Sequence, residues 1–211
     1  MKETYTDRFG NLVTIENGLE TYTHDGDLVL KSYRGNEVSV IVPEGVRHIS
    51  VDAFANTSIE NVWLPEGLII IEHRAFRNCK NLKSIRIPDS TEYIMGEAFE
   101  DCSGLSNVIF PNTLKYLGQN AFRRTGIETA VFPAGINNTL SAVYTGGERL
   151  TTAIIVEPEM VLNTGEFSKC DNLKNVYFDG PLTNLPPLIK YKIEKKKTIR
   201  IMALSEKNRG F

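Results

Sequence analysis

Three thiols are the most reactive side chains in this sequence, and their positions limit the chemistry open to them. Cys79, Cys102 and Cys170 stand 23 and then 68 residues apart. No Cys-x-x-Cys pair and no closely spaced histidines accompany them, so the ligand spacing of a zinc site is missing. His24, His48 and His73 fall at unrelated points of the repeating pattern described below, and none stands in a recognisable nucleophile arrangement. The Gly146-Gly147 pair lacks the flanking residues of a phosphate-cradling loop. Carboxylates such as Glu97, Glu100 and Asp101 read as ordinary solvated residues. Together these side chains predict no catalytic residues, no metal and no cofactor.

The thiols share a phase that explains them better. Each lies three residues after an aromatic ring, and rings recur at Phe54, Phe76, Phe99, Phe122, Tyr144 and Phe167, separated by 22, 23, 23, 22 and 23 residues. A period of this length is the mark of a solenoid, in which each unit buries its apolar residues against its neighbours. Thr57 and Thr125 take the cysteine position wherever the following loop is one residue shorter. The next inward residue then comes two later (Ile59, Ile127) instead of three (Leu82, Leu105, Leu173). The cysteines therefore read as buried groups in a ladder with these threonines, satisfying backbone atoms. Rungs about 4.8 Å apart would bring Cys79 and Cys102 within disulfide range, although their parallel side-chain directions disfavour the bond.

The elements that position this ladder repeat with it. A turn such as Pro43-Glu44-Gly45 or Pro65-Glu66-Gly67 opens each unit, with proline presetting a type I turn and glycine at its last position. Two apolar residues three apart follow, such as Leu68 and Ile71, then the Ala-Phe pair, then a strand of the form x-I-x-I. The second inward strand residue falls at Val42, Leu64, Ile87, Phe110, Phe132, Ile155, Phe178 and Ile201, which implies eight rungs. Alternation along these strands sends two rows of side chains outward. One row is small and polar, including Ser39, Asn61, Ser84, Asn107, Thr129, Thr152, Asn175 and Thr198. The other is Ile41, Trp63, Arg86, Ile109, Val131, Ile154, Tyr177 and Arg200, where large apolar or arginine side chains replace the polar residues expected on a wet face. An apolar strip of this kind marks an interaction site, and Trp, Tyr and Arg dominate interface energies. These residues, with Asn61 and Asn107, are the candidate partner-binding set.

The repeated Pro-x-x-V-x-x-I, Ala-Phe-x-x-Cys and x-L-x-x-I-x-I segments resemble the bacterial leucine-rich repeats of the BspA type over roughly residues 38 to 201. That resemblance implies a leucine-rich repeat solenoid, a β-rich right-handed superhelix. Its x-I-x-I strands would form a parallel concave sheet, its Pro-x-x-V-x-x-I segments short convex strands, and its Ala-Phe-x-x-Cys stretches short helical or irregular connections. It also implies a non-enzymatic, adhesin-like module that binds a protein or peptide. The alternatives are a structural or self-associating spacer and a carbohydrate binder using Trp63 and Tyr177. Departures from the pattern are Thr139 and Leu140 in place of Ile-Gly, Glu166 before Phe167, and Lys196 where the last strand should begin with Leu.

Composition fits this reading: 211 residues, 41% hydrophobic and 24% charged, are those of an ordinary globular chain. Residues 1–37 are expected to cap the stack, with hairpin turns at His24-Asp25-Gly26-Asp27 and at Phe9-Gly10-Asn11. The regular solenoid is expected over 38–180, and a degenerate last repeat with a basic cap over 181–211. This tail holds eight Lys or Arg against two Glu. Lysines of this kind protect a sheet edge from further pairing; without interleaved aromatic residues they do not make a nucleic-acid platform. The family resemblance places the protein outside the cell or on its surface, whereas Met1-Lys2-Glu3-Thr4-Tyr5 begins no apolar signal segment, which leaves the cytoplasm open. No stretch reaches membrane-spanning length, and the oligomeric state is not fixed by the sequence.

Overall fold

Asn17-Gly18 and Asp25-Gly26 both adopt positive φ, 51° and 77° in the first pair and 50° and 89° in the second. That is the two-residue hairpin geometry matching the natural twist of paired strands. They join β2 (Leu12–Glu16) to β3 (Leu19–His24) and β3 to β4 (Asp27–Tyr33). A longer turn at residues 7–11 joins β1 (Lys2–Thr6) to β2, so the chain begins as a four-stranded antiparallel meander. The Asp-Gly and Phe9-Gly10 hairpins are those expected, and the Asn-Gly hairpin between them is an addition. These facts come from a computed structural model that describes residues 2–133, 135–136, 142–156, 167–178 and 200–203.

From β4 onward the chain winds as a β-solenoid of about six turns with parallel sheets. Short strands β6 (Val46–Ile49), β8 (Ile70–Ile71), β10 (Tyr93–Ile94) and β12 (Tyr116–Leu117) stack in parallel beneath β4, so the meander and the short strands share one eight-stranded sheet. The x-I-x-I segments supply the other column. It comprises β5 (Ser39–Ile41), β7 (Asn61–Trp63), β9 (Ser84–Arg86), β11 (Asn107–Ile109), β13 (Thr129–Phe132), β14 (Thr152–Ile155), β15 (Asn175–Phe178) and β16 (Arg200–Ala203). Up to β15 their paired residues are one repeat apart, as in Ser39 with Asn61 or Thr129 with Thr152. Instead of the single sheet expected, this column divides into ladders β5-β7, β9-β11 and β13-β14-β15-β16.

The core lies between the columns and is organised by rings. Tyr33, Phe54, Phe76, Phe99, Phe122 and Tyr144 form one file of buried aromatics. Phe54 and Phe76 stack at 4.9 Å between centroids, Phe76 and Phe99 at 5.1 Å, and Phe99 and Phe122 at 5.1 Å, with ring planes within 6° of parallel. Tyr33, at the end of the meander, covers Phe54 at 5.5 Å. Tyr144 continues the file as expected, 5.5 Å from Phe122. Around it, the inward residues Ile59, Leu82, Leu105, Ile127, Leu150 and Leu173 are all buried.

Two expectations, the proline turn and the last register, need correction, whereas the Ala-Phe-x-x-Cys connections take the irregular of the two forms expected and contain no helix among the described residues. The residues two before and two after the rings from Phe54 to Tyr144 have positive φ, for example Asp52 (58°) and Asn56 (63°), or Glu97 (60°) and Asp101 (62°). Left-handed residues four apart prevent a continuous i to i−4 ladder. The backbone bonds the next rung instead, as when Phe76 N donates to Ala98 O at 2.8 Å. The proline turn is also displaced by one residue. Val46 N donates to Pro43 O and Leu68 N to Pro65 O, so glycine is the third residue of the turn, at φ 87° in Gly45 and 127° in Gly67. A third position with positive φ is type II chemistry, which requires the missing Cβ. Finally, β15 pairs Asn175 with Arg200, Val176 with Ile201 and Tyr177 with Met202, two residues further along than the repeat count predicts. The counted register would carry Lys196 into the slot that Leu173 fills with a buried side chain. A slide of two residues preserves strand parity, and burying an unpaired ammonium at the counted register would be costly. The rest of the expected basic cap at 181–211 lies outside the described residues.

Candidate functional site

Parity along the long strands places the predicted row on the side away from the ring file, and its N-terminal part is open to solvent. Ile41 is 72% exposed, Trp63 54% and Ile109 54%. Ile41 and Trp63 stand directly opposite each other in the β5-β7 ladder, and Arg86 stands opposite Ile109 in β9-β11. The Arg86 guanidinium is held by Glu66 from the preceding turn and by Asp89 Oδ2 at 3.3 Å. This pairing holds the Glu66 carboxyl below the usual carboxylate range and raises the Arg86 guanidinium above its ordinary value. Arg86 thus presents a guanidinium oriented by two solvent-exposed carboxylates.

The C-terminal part of the row differs. Val131 and Tyr177 are half-buried. Ile154, expected to be exposed, is 5% exposed. It stands in an uninterrupted four-stranded ladder, with Val131 opposite on one side and Tyr177 on the other, so large neighbours cover it from both flanks. Arg200 leaves the row altogether, because the register places it opposite Asn175 and puts Met202 opposite Tyr177. In the polar row, Asn61 and Asn107 are exposed as expected. The Asn61 amide donates to Ser39 Oγ at 3.2 Å across the ladder, so its polarity is partly spent between rungs.

The cysteine ladder takes the form anticipated. All three thiols are free and buried. Cys79 Sγ donates to Phe54 O at 3.1 Å, Cys102 Sγ to Phe76 O at 2.9 Å and Cys170 Sγ to Tyr144 O at 3.1 Å, each reaching the ring residue of the rung before it. The threonines reach inward within their own rung, with Thr57 Oγ1 donating to Phe54 O at 2.8 Å and Thr125 Oγ1 to Phe122 O at 3.0 Å. Burial pushes the Cys102 thiol well above its usual value, which leaves little of the thiolate that nucleophilic chemistry requires. Among the described residues, no group of three His, Cys, Asp or Glu side chains is placed to hold a metal.

One carboxylate departs from the sequence reading. Glu100 is 2% exposed rather than solvated. Three guanidinium groups hold it: Arg77 Nε at 3.0 Å, Arg123 NH1 at 3.2 Å and Arg124 NH2 at 3.1 Å. Arg124 also binds Asp101, whose carboxyl it holds below the ordinary range. A buried carboxylate persists only when paired in this way. The signal was present in the sequence: Arg77, Glu100 and Arg123 each follow a ring directly, so stacking places the acid between two bases.

Comparison with known proteins sets this geometry in context. Residues 32–151 and 69–193 match the BspA type leucine rich repeat region, in six copies. No curated protein matches the chain in sequence. Among solved structures, the leucine rich repeat protein of T. pallidum superposes with a TM-score of 0.73 at 23% identity, covering 90% of this chain and 99% of its own. The pneumococcal vaccine antigen PcpA gives 0.69 at 21% identity over 88% of this chain and 48% of its own. A leucine rich cell surface protein of Faecalibacterium prausnitzii gives 0.60 at 21% identity over 82% and 41%. The chain thus spans less than half the length of the latter two proteins, and these likenesses concern the fold.

Proposed function

Because the chain belongs to the BspA-type leucine-rich repeat family, we propose that it is a non-enzymatic, adhesin-like scaffold that binds a protein or peptide on the outward row Ile41, Trp63, Arg86 and Ile109. The observation that carries this reading is the exposure of three large apolar side chains in that row, at 72%, 54% and 54%. A solvated sheet face ordinarily alternates to polar residues. Here the outward positions hold isoleucine and tryptophan around an arginine fixed by two carboxylates, and tryptophan and arginine are among the side chains that contribute most at protein interfaces. Val131 and Tyr177 extend the surface as half-buried contacts. That similar folds occur in a cell surface protein and a vaccine antigen supports placement at the cell surface.

The test is capture of ligands from solubilised membrane and matrix extracts by the immobilised protein. The variant combining Ile41→Ala, Trp63→Ala and Ile109→Ala serves for comparison. Exposed substitutions of this kind shift stability by about 0.5 kcal/mol or less each, so the variant should melt close to the parent while losing its captured protein. Equal capture by both would refute the assignment. The exposed indole of Trp63 favours carbohydrate stacking as a second reading. Glycan-array binding that disappears with Trp63→Ala alone would decide for it.

A further inference from the structure

The N-terminal meander closes only one of the two strand columns. β4 pairs with β6 and so covers the first edge of the short-strand sheet. Beside it β5 begins the long-strand column, and among the described residues it pairs with β7 alone. The ladder bonds show which way its backbone faces. Val38 O accepts from Asn61 N at 3.0 Å and Val42 N donates to Trp63 O at 2.9 Å. In a strand, alternate residues direct their N–H and C=O groups to opposite sides. The even-numbered residues therefore bond β7, and the N–H and C=O groups of Ser39 and Ile41 face away from it. Among the described residues these donors and acceptors are unpaired, and Val38, Ser39 and Ile41 are all open to solvent. Proteins ordinarily block such an edge with lysine, proline, a bulge or a covering segment, and residues 38–42 supply none of these.

We propose that the free edge of β5 is a docking site for an extended peptide strand of a partner protein, apolar at its centre and basic at its ends. Backbone hydrogen bonds to Ser39 and Ile41 would supply the recurring contacts of strand addition. The side chain aligned with Ile41 and Trp63 meets an apolar column and is itself apolar; the one aligned with Ser39 and Asn61 is small or polar. Charge selects the ends. Glu37 and Glu44 flank β5, both exposed and, among the described residues, neither engaged in an ion pair. In the next rung the residue equivalent to Glu44 is Glu66, whose carboxylate is occupied by Arg86. The residue one repeat before Arg86 is Trp63, which offers Glu44 no cation, so its charge is available to a lysine or arginine from outside. The same carboxylates argue against a second copy of this chain. Antiparallel pairing of two β5 edges about Val40 would bring Glu37 of one copy beside Glu44 of the other, twice over, and like charges across an edge are destabilising. The edge offers the backbone of β5, and although the Ile41 side chain belongs to the outward row, the backbone bonds proposed here do not depend on what the row binds.

The probe is the synthetic peptide acetyl-Lys-Thr-Val-Val-Thr-Lys-amide, which in either direction can set a threonine at Ser39 and a valine at Ile41, with amide hydrogen exchange at Ser39 and Ile41 followed by NMR in the full chain. The expected result is slowed exchange at these two amides on adding the peptide. Affinity should fall about tenfold in Ser39→Pro, which removes one edge-facing N–H. Proline is tolerated at that point because the lost N–H lies outside the ladder, so the variant should melt like the parent. An alternately N-methylated peptide, tested on the unaltered protein, should also fail to protect. Trp63→Ala should leave protection at Ser39 in place, which separates the edge from the row. Unchanged exchange at saturating peptide, or undiminished binding to Ser39→Pro and of the methylated peptide, would overturn the proposal. So would protection that rises with protein concentration alone, since the occupant would then be a second copy.

Discussion

Phe99 sits at the middle of the ring file, with Phe76 on one side and Phe122 on the other, both at 5.1 Å and 3° from parallel. Replacing it by alanine removes a fully buried side chain and two stacked contacts. Burial of a phenylalanine contributes about 1.5–3 kcal/mol and each stacked pair about 0.5–1.5 kcal/mol more. The expected loss is about 3–5 kcal/mol, the usual range for a buried Phe→Ala change, against a typical domain stability of about 5–15 kcal/mol. Phe99→Leu keeps the burial and loses only the stacks, so it should cost about 1–3 kcal/mol. Because each rung bonds only its neighbours, a weak central rung should also uncouple the two halves. The single tryptophan, Trp63, lies on the N-terminal side of that rung. In urea, its fluorescence should report the N-terminal rungs while far-UV circular dichroism reports the whole chain. The two transitions should coincide in the parent and separate in Phe99→Ala. Coincident transitions with a loss below about 1 kcal/mol would refute the view that the ring file is what couples the rungs.

Further expectations follow from other contacts. A Cβ on Gly118 would strike the backbone of Met95 and Gly96 in the preceding rung, so Gly118→Ala should lower the melting temperature far more than Gly45→Ala. The latter meets nothing within 4 Å and suffers only the strain of φ 87°. Cys102→Ser can still donate to Phe76 O, whereas Cys102→Val leaves that carbonyl only the Cys79 amide at 3.2 Å. The valine variant should lose about 0.5–1.5 kcal/mol by chemical denaturation and the serine variant less. All three thiols should resist a thiol reagent until the chain is unfolded. Asp7 accepts from Lys31 Nζ at 2.8 Å and from the amides of Phe9 and Asn11, and chiefly the lysine holds its carboxyl far below the usual range. A carboxyl lowered on folding stabilises the native state above about pH 4 and ceases to do so as the pH falls through the lowered value. Amide exchange at Phe9 and Asn11 should therefore quicken in acid, and Asp7→Asn should flatten that dependence.

Much of this molecule could be read by counting, and the limits of counting show where it ends. The rings, the inward leucines and the thiol-threonine ladder were legible because their positions depend only on a period that stacking enforces. Tyr33 belongs to the same file and stands 21 residues before Phe54, but lies in a segment whose hairpins obscured the phase. Glu100 was legible in principle, since the bases above and below it share its place after the ring; a column of opposite charges is as periodic as a column of rings. The burial of Ile154 was not, because parity says which way a side chain points and nothing of how closely its neighbours crowd it. The last register failed because the count carried no term for Lys196. A strand can slide by two and keep its faces, and the cost of burying a charge at the counted register favours the slide.

The backbone bonds that join one rung to the next all run along the stack, while the covalent chain winds around it. A pull on the two ends of the stack would therefore open the ladder one rung at a time, each release paying out some two dozen residues of slack. Such a molecule behaves under tension as a graded extensible tether, lengthening in steps of low force where a shear-loaded sheet would hold and then snap.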